Sequence, residues 1–406
     1  MAGSDIAVTG LGLVTPGGVG VGPSWDAVCG GRSAAALDPL LADNQVRISC
    51  RVPDFDAEEL LTPRKALRLD RFVQFALVAA REAIADAGLD PSTWDGARVG
   101  VVLGCADGGP GTVELQHQIM REKGASRVSP LLLPMQLPNM LAGQTAIEFG
   151  ASGPNLVVAT ACASGTTAIG IARDLLTLGR CDIALAGGAE AMITPLVMAG
   201  FAQMGALSRH EHDPSGASRP FDVDRDGFVA GEGAGIVVME RLADARARGA
   251  HVHGRIVGYG STADAHHITS PHPGAVGIES AVRVALADSG ADPGDVQHVN
   301  AHGTSTPLND LAEALMLERT LTGSPLVTST KGVTGHMLGA AGAVEAVFTL
   351  LSIEHGLVPP TANLVTPDPR IAVKLAFTPT YMPIELALSN SLGFGGQNSV
   401  LAIARA

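Results

Sequence analysis

The sequence predicts an α/β protein built from two βα-rich halves related by an approximate dyad. Three observations carry this. REAIADAGLDP at residues 81–91 returns as RVALADSGADP at 283–293, identical at seven of eleven positions and about half a chain apart. Further segments pair across the halves in the same order. Apolar strand candidates alternate with helical patterns, which implies sheets covered on both faces.

Taken in order, the first pair reads as two helix ends, with Gly88 and Gly290 just past the last turn and Pro91 and Pro293 beyond. A strand candidate follows each: ARVGVVLGCADGG in the first half and VQHVNAHGTSTP in the second. Next, NLVVATACASGTTAIGIARDLLTLG (155–179) pairs with PLVTSTKGVTGHMLGAAGAVEAVFTLLSIEHG (325–356), each a short strand, a loop and a helix. Last, DIALAGGAEAM (182–192) pairs with ELALSNSLGFGGQNS (385–399), a strand running into a glycine-rich bend. The halves are placed at 1–249, with the cysteine discussed below, and 250–406, with the two histidines. Residues 193–245 and 357–384 read as insertions or connections. Reactive loops of such sheets lie at strand C-termini, so the loops of Asp107, Cys162, Thr304, His336 and Phe394 are expected to converge.

Composition narrows the class. Hydrophobic residues make up 46% and charged residues 17% of 406, enough for a large buried core. A net charge of −13 argues against a nucleic-acid surface, which needs clustered cations. The opening MAGSDIAVTGLGLVTPGG lacks the basic start of a signal peptide, and no stretch makes a good membrane span. Five cysteines without a CxxC pair point to a reduced, cytoplasmic protein.

The chemistry gathers at a few positions. Cys162, in ATACASG, stands where a strand hands over to a helix, and the spacing puts it in the first helical turn. Free N–H groups and the helix dipole there favour a thiolate and lower the thiol pKa. A small buried core cysteine accounts for that stretch equally well. His302 (NAHGTSTP) and His336 (TGHMLGAAGAVE) shift the balance, because both fall in paired segments near the predicted convergence. Neutral imidazoles there can donate to an oxyanion or exchange protons with substrate. Glycines 393, 395 and 396 flank Phe394 and let backbone approach a ligand, so the amides of Cys162 and Phe394 can form an oxyanion hole. A tight strand-to-strand turn is the plainer reading of that run. His210-x-His212, His251-x-His253 and His266-His267 are local pairs without the further ligand spacing of a zinc site, so no metal is expected. GLGLVTPGG has the wrong spacing for a dinucleotide loop, and Pro16 interrupts it.

TACASG, NAHGTSTPLND, STKGVTGHMLGAAGAVE and SNSLGFGGQNS, with VTGLGLVTPGG and SRPFDVDRDGFVAGEGAG, resemble the β-ketoacyl-acyl-carrier-protein synthases, most closely the elongating KAS II-like group. The resemblance runs almost end to end. It implies a thiolase-like duplicated fold of five layers, αβαβα. It also implies a decarboxylative condensation: Cys162 takes an acyl chain from a carrier-protein thioester, malonyl-acyl carrier protein loses carbon dioxide, and the carbanion attacks the acyl group. By the same resemblance His302 and His336 hold the malonyl thioester oxygen, Lys331 and Glu345 order the site, Thr304 and Thr306 bind the pantetheine amides, and Phe394 gates the second substrate. Carrier-protein docking falls to Arg64, Lys65, Arg68, Arg71, Arg127 and Arg209. No cofactor is implied, since phosphopantetheine arrives on the carrier protein, but a structural monovalent cation near Glu345 and Asn390 is compatible. The partners implied are acyl- and malonyl-carrier protein and a second subunit, either like or a chain-length-factor homologue.

Asp107 departs from that pattern. Fatty-acid enzymes of the group usually place an apolar residue there, lining the acyl pocket beside the gate, and burying an unpaired carboxylate costs several kcal/mol, roughly. The departure resembles ketosynthase α subunits of highly reducing, polyene-making type II polyketide systems. HGTST, rather than HGSGT, sets the chain apart from aromatic polyketide ketosynthases. Housekeeping fatty-acid elongation is the alternative. A Cys-His hydrolase leaves the second histidine unexplained, thiolase would need a second cysteine, and a scaffold subunit would not need an intact Cys162.

Overall fold

A computed structural model describes residues 5–406. Residues 1–4, where the expectations for the N-terminal half and for the chain's opening begin, lie outside the described residues. The N-terminal half contributes strands β1 (Ile6–Thr15), β2 (Val99–Gly104), β3 (Asn155–Val158), β4 (Ile183–Glu190) and β5 (Gly233–Arg241). The C-terminal half contributes β6 (Gly254–Ala263), β7 (His298–Asn300), β8 (Leu326–Thr328), β9 (Leu386–Gly393) and β10 (Gln397–Ala404). The spatial order is β3-β2-β4-β5-β1 in one half and β8-β7-β9-β10-β6 in the other. Each half therefore reads third, second, fourth, fifth, first. The sense of pairing repeats too, parallel among the first three neighbours and antiparallel for the last two strands. All three repeats seen in the sequence occupy equivalent places in this double topology.

Five layers result. Helix α1 (Arg71–Asp86) covers β1 and β5 on one outer face. On the other, α5 (Val276–Ser289) covers β6 and β10. Between the sheets lie α4 (Ser164–Thr177) and α7 (Ala341–His355), which touch each other and strands of both halves. Three further helices are α2 (Pro110–Lys123), α3 (Met140–Phe149) and α6 (Pro307–Thr320). The sheets meet through a short antiparallel ladder, Ile6 opposite Ile256 and Val8 opposite Gly254. Separate apolar cores fill the two outer interfaces and the centre. The stretch Leu338–His355 is long and apolar enough to cross a membrane, but 89% of it is buried in that central layer.

The outer helices sit on their strands through glycines. A β-carbon at Gly12 of β1 would fall 1.9 Å from the Ala79 carbonyl oxygen of α1, and one at Gly260 of β6 would fall 2.0 Å from that of Ala281 in α5. Both contacts involve helix backbone, which cannot swing aside. Gly12→Ala is therefore expected to cost about 1–3 kcal/mol, the range for overpacking a tight interior. A lowered denaturation midpoint in urea would show it, and an unchanged midpoint would contradict the packing.

One expectation is corrected here. Residues 193–245 are not wholly an insertion, because Gly233–Arg241 is the fifth strand of the first sheet, buried along almost its whole length. The strand is hard to see in the sequence because it lies behind a long irregular connection. Residues 357–384 are a connection, carrying one two-residue ladder, Leu357–Val358 with Thr380–Tyr381.

Candidate active site

Cys162 follows β3 in a single tight turn, Ala161–Ala163, two residues before α4 begins at Ser164. It is thus not in the first turn of the helix, as the spacing suggested. Ala161 takes a left-handed φ of 49°, a strained conformation for a non-glycine residue. The Ser164 hydroxyl holds it there, accepting from Thr160 N–H at 2.9 Å and donating to the Ala161 carbonyl at 2.6 Å. The thiol is buried, with 7% of the residue exposed. The lowered pKa expected from the helix terminus is overturned. Burial pushes the thiol up to about 12, against the downward pull of the Lys331 charge and the Phe394 N–H and with an added push from Glu190. At neutral pH the resting group is the thiol, because desolvation outweighs the helix end.

His302 lies two residues past β7, and Glu313 of α6 braces the loop, accepting from His302 N–H and Gly303 N–H at 2.9 Å each. His336 is fixed by its backbone: its N–H donates to the Val229 carbonyl at 2.7 Å, and its carbonyl accepts from Gly231 N–H at 2.9 Å. The two rings stand nearly perpendicular, at 85°, with centroids 5.2 Å apart. Both are held well below the usual imidazole pKa by burial, reinforced by the Lys331 charge and, for His302, by His336. Both are therefore neutral at pH 7.

Lys331, only 1% exposed, pairs with Glu345 of α7 and places Nζ 3.5 Å from His302 Nδ1. An ammonium group has donors only. His302 Nδ1 must accept from it, which assigns the ring proton to Nε2. Burial raises the Glu345 carboxyl to about 7, with Lys331 pulling it down and Glu313 pushing it up.

These groups open onto one cavity of about 380 Å³, lined by Cys162, His302, His336, Thr304, Thr306 and Phe394 among others. The threonine hydroxyls lie 2.9 Å apart. Phe394 is half-buried and followed by Gly395 and Gly396, both left-handed at φ 79° and 73°. Gly393 runs so close to the cysteine turn that a β-carbon there would fall 3.2 Å from the Cys162 nitrogen. The N–H of the next residue, Phe394, reaches the Cys162 sulfur.

Asp107 is not brought to the cavity. Its side chain is exposed, and it is absent from the lining. The loop turns outward because Ala106 N–H is tied to Glu190 at 2.7 Å, Gly109 N–H to the Gln136 carbonyl at 3.1 Å, and Gly108 is left-handed. Two docking candidates are also corrected. Arg71 bonds inward to Glu232 at 2.7 and 3.1 Å and stacks on Phe55 and Phe75. Lys65 is held by both oxygens of Glu148, at 2.6 and 2.7 Å. Arg64, Arg68, Arg127 and Arg209 are exposed, without an acidic side-chain partner among the described residues. Arg209 lies at the cavity rim, its N–H bonded to Asp226, which lines the opening.

Sequence reasoning missed Glu190 and Glu313. Glu190, at the end of β4, accepts from the amides of Ala106 and Gly339 and has no cationic partner among the described residues. Burial raises it to about 8. The available signal was an acidic residue closing an otherwise apolar strand.

A family model described as "Beta-ketoacyl synthase, N-terminal domain" matches residues 3–245, and one described as "Beta-ketoacyl synthase, C-terminal domain" matches 253–365. The "3-oxoacyl-[acyl-carrier-protein] synthase 2" of Synechocystis sp. is 45% identical, over 98% of this chain and 97% of its own. Its namesake in Staphylococcus aureus is 43% identical, with the same coverage. Among solved structures, "The ishigamide ketosynthase/chain length factor" superposes with a TM-score of 0.93 at 32% identity, covering all of both chains. "AntDE:AntF (apo): type II PKS acyl-carrier protein in complex with its ketosynthase bound to the hexaketide" superposes at 0.89 with 34% identity, again over all of both.

Proposed function

The chain belongs to the β-ketoacyl synthase family, and on that premise we propose how its residues divide the condensation of an acyl thioester with malonyl-acyl carrier protein. The observation that carries the reading is the convergence of one buried thiol and two neutral imidazoles, with Phe394 beside them, on a single cavity.

In the first half-reaction the sulfur of Cys162 attacks the acyl thioester, the carrier thiol leaves, and the acyl group stays on the enzyme. The Cys162 proton ends on the departing carrier sulfur as the new S–C bond forms and the old one breaks, while the Lys331 charge and the Phe394 N–H steady the negative charge on the Cys162 sulfur. The amides of Cys162 and Phe394 hold the oxyanion of the tetrahedral intermediate. In the second, His302 Nε2–H and the His336 ring hold the malonyl thioester oxygen while the C–C bond to the carboxylate breaks and carbon dioxide leaves. The resulting enolate attacks the acyl carbonyl, and collapse of the intermediate expels the Cys162 thiolate, which takes up a proton. Lys331 and Glu345 position His302. Thr304 and Thr306 bond the pantetheine amides, and Phe394, beside its two left-handed glycines, gates the second substrate.

The neutral state of the histidines sets a pH dependence. Their pKa values lie well below the ordinary 6.5, so both rings stay uncharged, and His302 Nδ1 stays an acceptor for Lys331, as pH falls through 6.5. In a Glu345→Gln variant, which lacks the carboxyl raised to about 7, malonyl decarboxylation should stay level between pH 8 and 6, with the acid limb lower still. An acid limb with its midpoint at the ordinary imidazole value would count against buried neutral donors.

The acidic carrier protein docks on Arg209 at the rim, with Arg64, Arg68 and Arg127 as further free cations. Arg209→Glu should raise KM for the carrier-bound thioester about tenfold, since losing and reversing one steering charge costs roughly 1.4 kcal/mol. It should leave KM for a free pantetheine thioester unchanged. Equal effects on both substrates would remove Arg209 from docking. A second subunit, like or unlike, is proposed to cover the exposed edge strand β3 and the exposed Leu133, Leu137 and Leu156. The Asp107 loop is tied to this neighbourhood through Gln136.

No organic cofactor is needed. A monovalent cation is supported by a group of buried oxygens without hydrogen-bond partners: Glu345 Oε2, Asn390 Oδ1, Asn300 Oδ1 and Ser389 Oγ. Oxygen donors suit such an ion, and it would steady the chain beneath His302.

Two pathways use this chemistry. Polyketide assembly is supported by likeness to type II ketosynthases and by the carboxylate at 107, which a second subunit would cover. Fatty-acid elongation is supported by 43–45% identity to 3-oxoacyl synthases and by the exposure of Asp107, which lifts the penalty on a saturated chain. Reconstitution with saturated and 2,4-dienoyl carrier thioesters plus malonyl-acyl carrier protein tests both. Products two carbons longer establish condensation. Dienoyl preference abolished by Asp107→Ile supports the polyketide reading, and a saturated preference unmoved by it supports fatty-acid elongation.

A further inference from the structure

Far from the catalytic cavity, at the C-terminal end of α7, His251, His253 and Glu354 bring three ligand atoms within 4.8 Å of one another. The sequence offered only the pair His251-x-His253, without a third ligand. Folding supplies it from a position 101 residues on. His251 Nε2 lies 3.0 Å from Glu354 Oε1, and His253 Nδ1 lies 2.8 Å from Glu354 Oε2. The imidazoles are nearly perpendicular, with centroids 4.6 Å apart.

The surroundings are those of a built site. The other ring nitrogen of His253, Nε2, lies 2.9 Å from Asp86 Oδ2, and that oxygen also accepts from Leu11 N–H at 2.8 Å. Asp86 is thereby held by β1 and holds the ring in turn. A carboxylate taking the far N–H of a histidine is the usual outer support of a metal-bound imidazole, and it leaves Nδ1 facing Glu354, where an ion would replace the contact between them. The His253 backbone is anchored as well, its N–H donating to the Val8 carbonyl at 3.0 Å. The His253 side chain is 9% exposed and that of Glu354 27%, whereas His251 is 62% exposed. The site has a fixed floor and an open front, where water can complete four-fold coordination.

We propose that His251 Nε2, His253 Nδ1 and the Glu354 carboxylate bind a divalent transition ion of the zinc class, with Asp86 as the outer support of His253. Two imidazoles and one carboxylate form a ligand set suited to zinc rather than to calcium or magnesium, which take oxygen. The ion would clasp three elements: α1 through Asp86, the crossover between the halves through residues 251–253, and α7 through Glu354. Glu354 sits near the end of α7, about 20 Å along the axis from its first residue at 1.5 Å per residue. The ion is structural and takes no part in the condensation.

The test is calorimetric zinc titration of the chelator-treated full chain in the Cys162→Ala background, so that the catalytic thiol does not compete. One saturable zinc per chain is expected, with a rise in Tm. His251→Ala removes an exposed side chain and Glu354→Gln keeps its shape, so both should fold. Each should weaken binding by at least about 100-fold, the upper end of the effect of losing an outer partner, and abolish the rise in Tm. Absence of a saturable site in the parent chain, or retention of it in either variant, overturns the proposal.

Discussion

Cys162→Ala should lower the rate of the condensation at least about 1,000-fold while leaving malonyl decarboxylation of the same order as in the parent. Covalent catalysis needs a nucleophile at this place, and no other group in the cavity can hold an acyl chain as a thioester. The enolate, by contrast, forms against His302 and His336, and neither imidazole depends on the sulfur for its position. His302 is braced through Glu313 and Lys331, and His336 through the backbone at Val229 and Gly231. The thiol is small and its removal leaves a minor void, so the two activities separate cleanly. Release of carbon dioxide from malonyl-acyl carrier protein and formation of the longer product, measured side by side, check this. Loss of both together would mean that decarboxylation waits on the acylated cysteine rather than on the histidines.

The second large effect falls on the imidazoles. His302→Ala and His336→Ala should each slow decarboxylation about 100- to 1,000-fold, the cost of one donor aimed at a developing oxyanion. Transfer of the acyl group to Cys162 should continue in both. The asparagine variants discriminate further, since an amide N–H donates but does not shuttle protons. Partial recovery in His302→Asn or His336→Asn supports donation. Equal inactivity of alanine and asparagine would point to proton transfer instead. Neutrality favours donation: burial and the Lys331 charge hold both rings unprotonated, and neighbouring cations would repel each other at 5.2 Å.

Much of this arrangement was legible in the chain because it is written twice. The repeat around Gly88 and Gly290 marked equivalent helix ends, and the ordered pairs after it marked equivalent strands, which is enough to infer a dyad. Cys162, His302, His336 and Phe394 follow paired strands, and strand ends of paired sheets meet. What stayed hidden depends on side-chain direction and on burial. Asp107 follows a strand like the others, yet two backbone ties and a left-handed glycine turn its loop outward, and no periodicity in the sequence records them. Arg71 stands at helical spacing from other cations, but its position against Glu232 and two phenylalanines is a product of tertiary packing. The thiol pKa was misjudged because a helix terminus is visible in sequence and desolvation is not. Gly233–Arg241 escaped because its partners, β1 and β4, lie more than 200 and about 50 residues away.

The buried carboxylates show the same division. Glu313 and Glu190 carry no motif of their own, yet each binds two backbone amides, Glu313 those of His302 and Gly303 and Glu190 those of Ala106 and Gly339. Their role exists only once distant loops have met.

Intact-mass spectrometry of the protein after exposure to an acyl-carrier thioester, followed by peptide mapping and then by addition of malonyl-acyl carrier protein, addresses the central assignment most directly. A nucleophilic Cys162 predicts one acyl mass on the peptide carrying that residue, which disappears as a carrier-bound product two carbons longer forms. An acyl mass on any other residue, or its loss as free acid with no longer product, would contradict it.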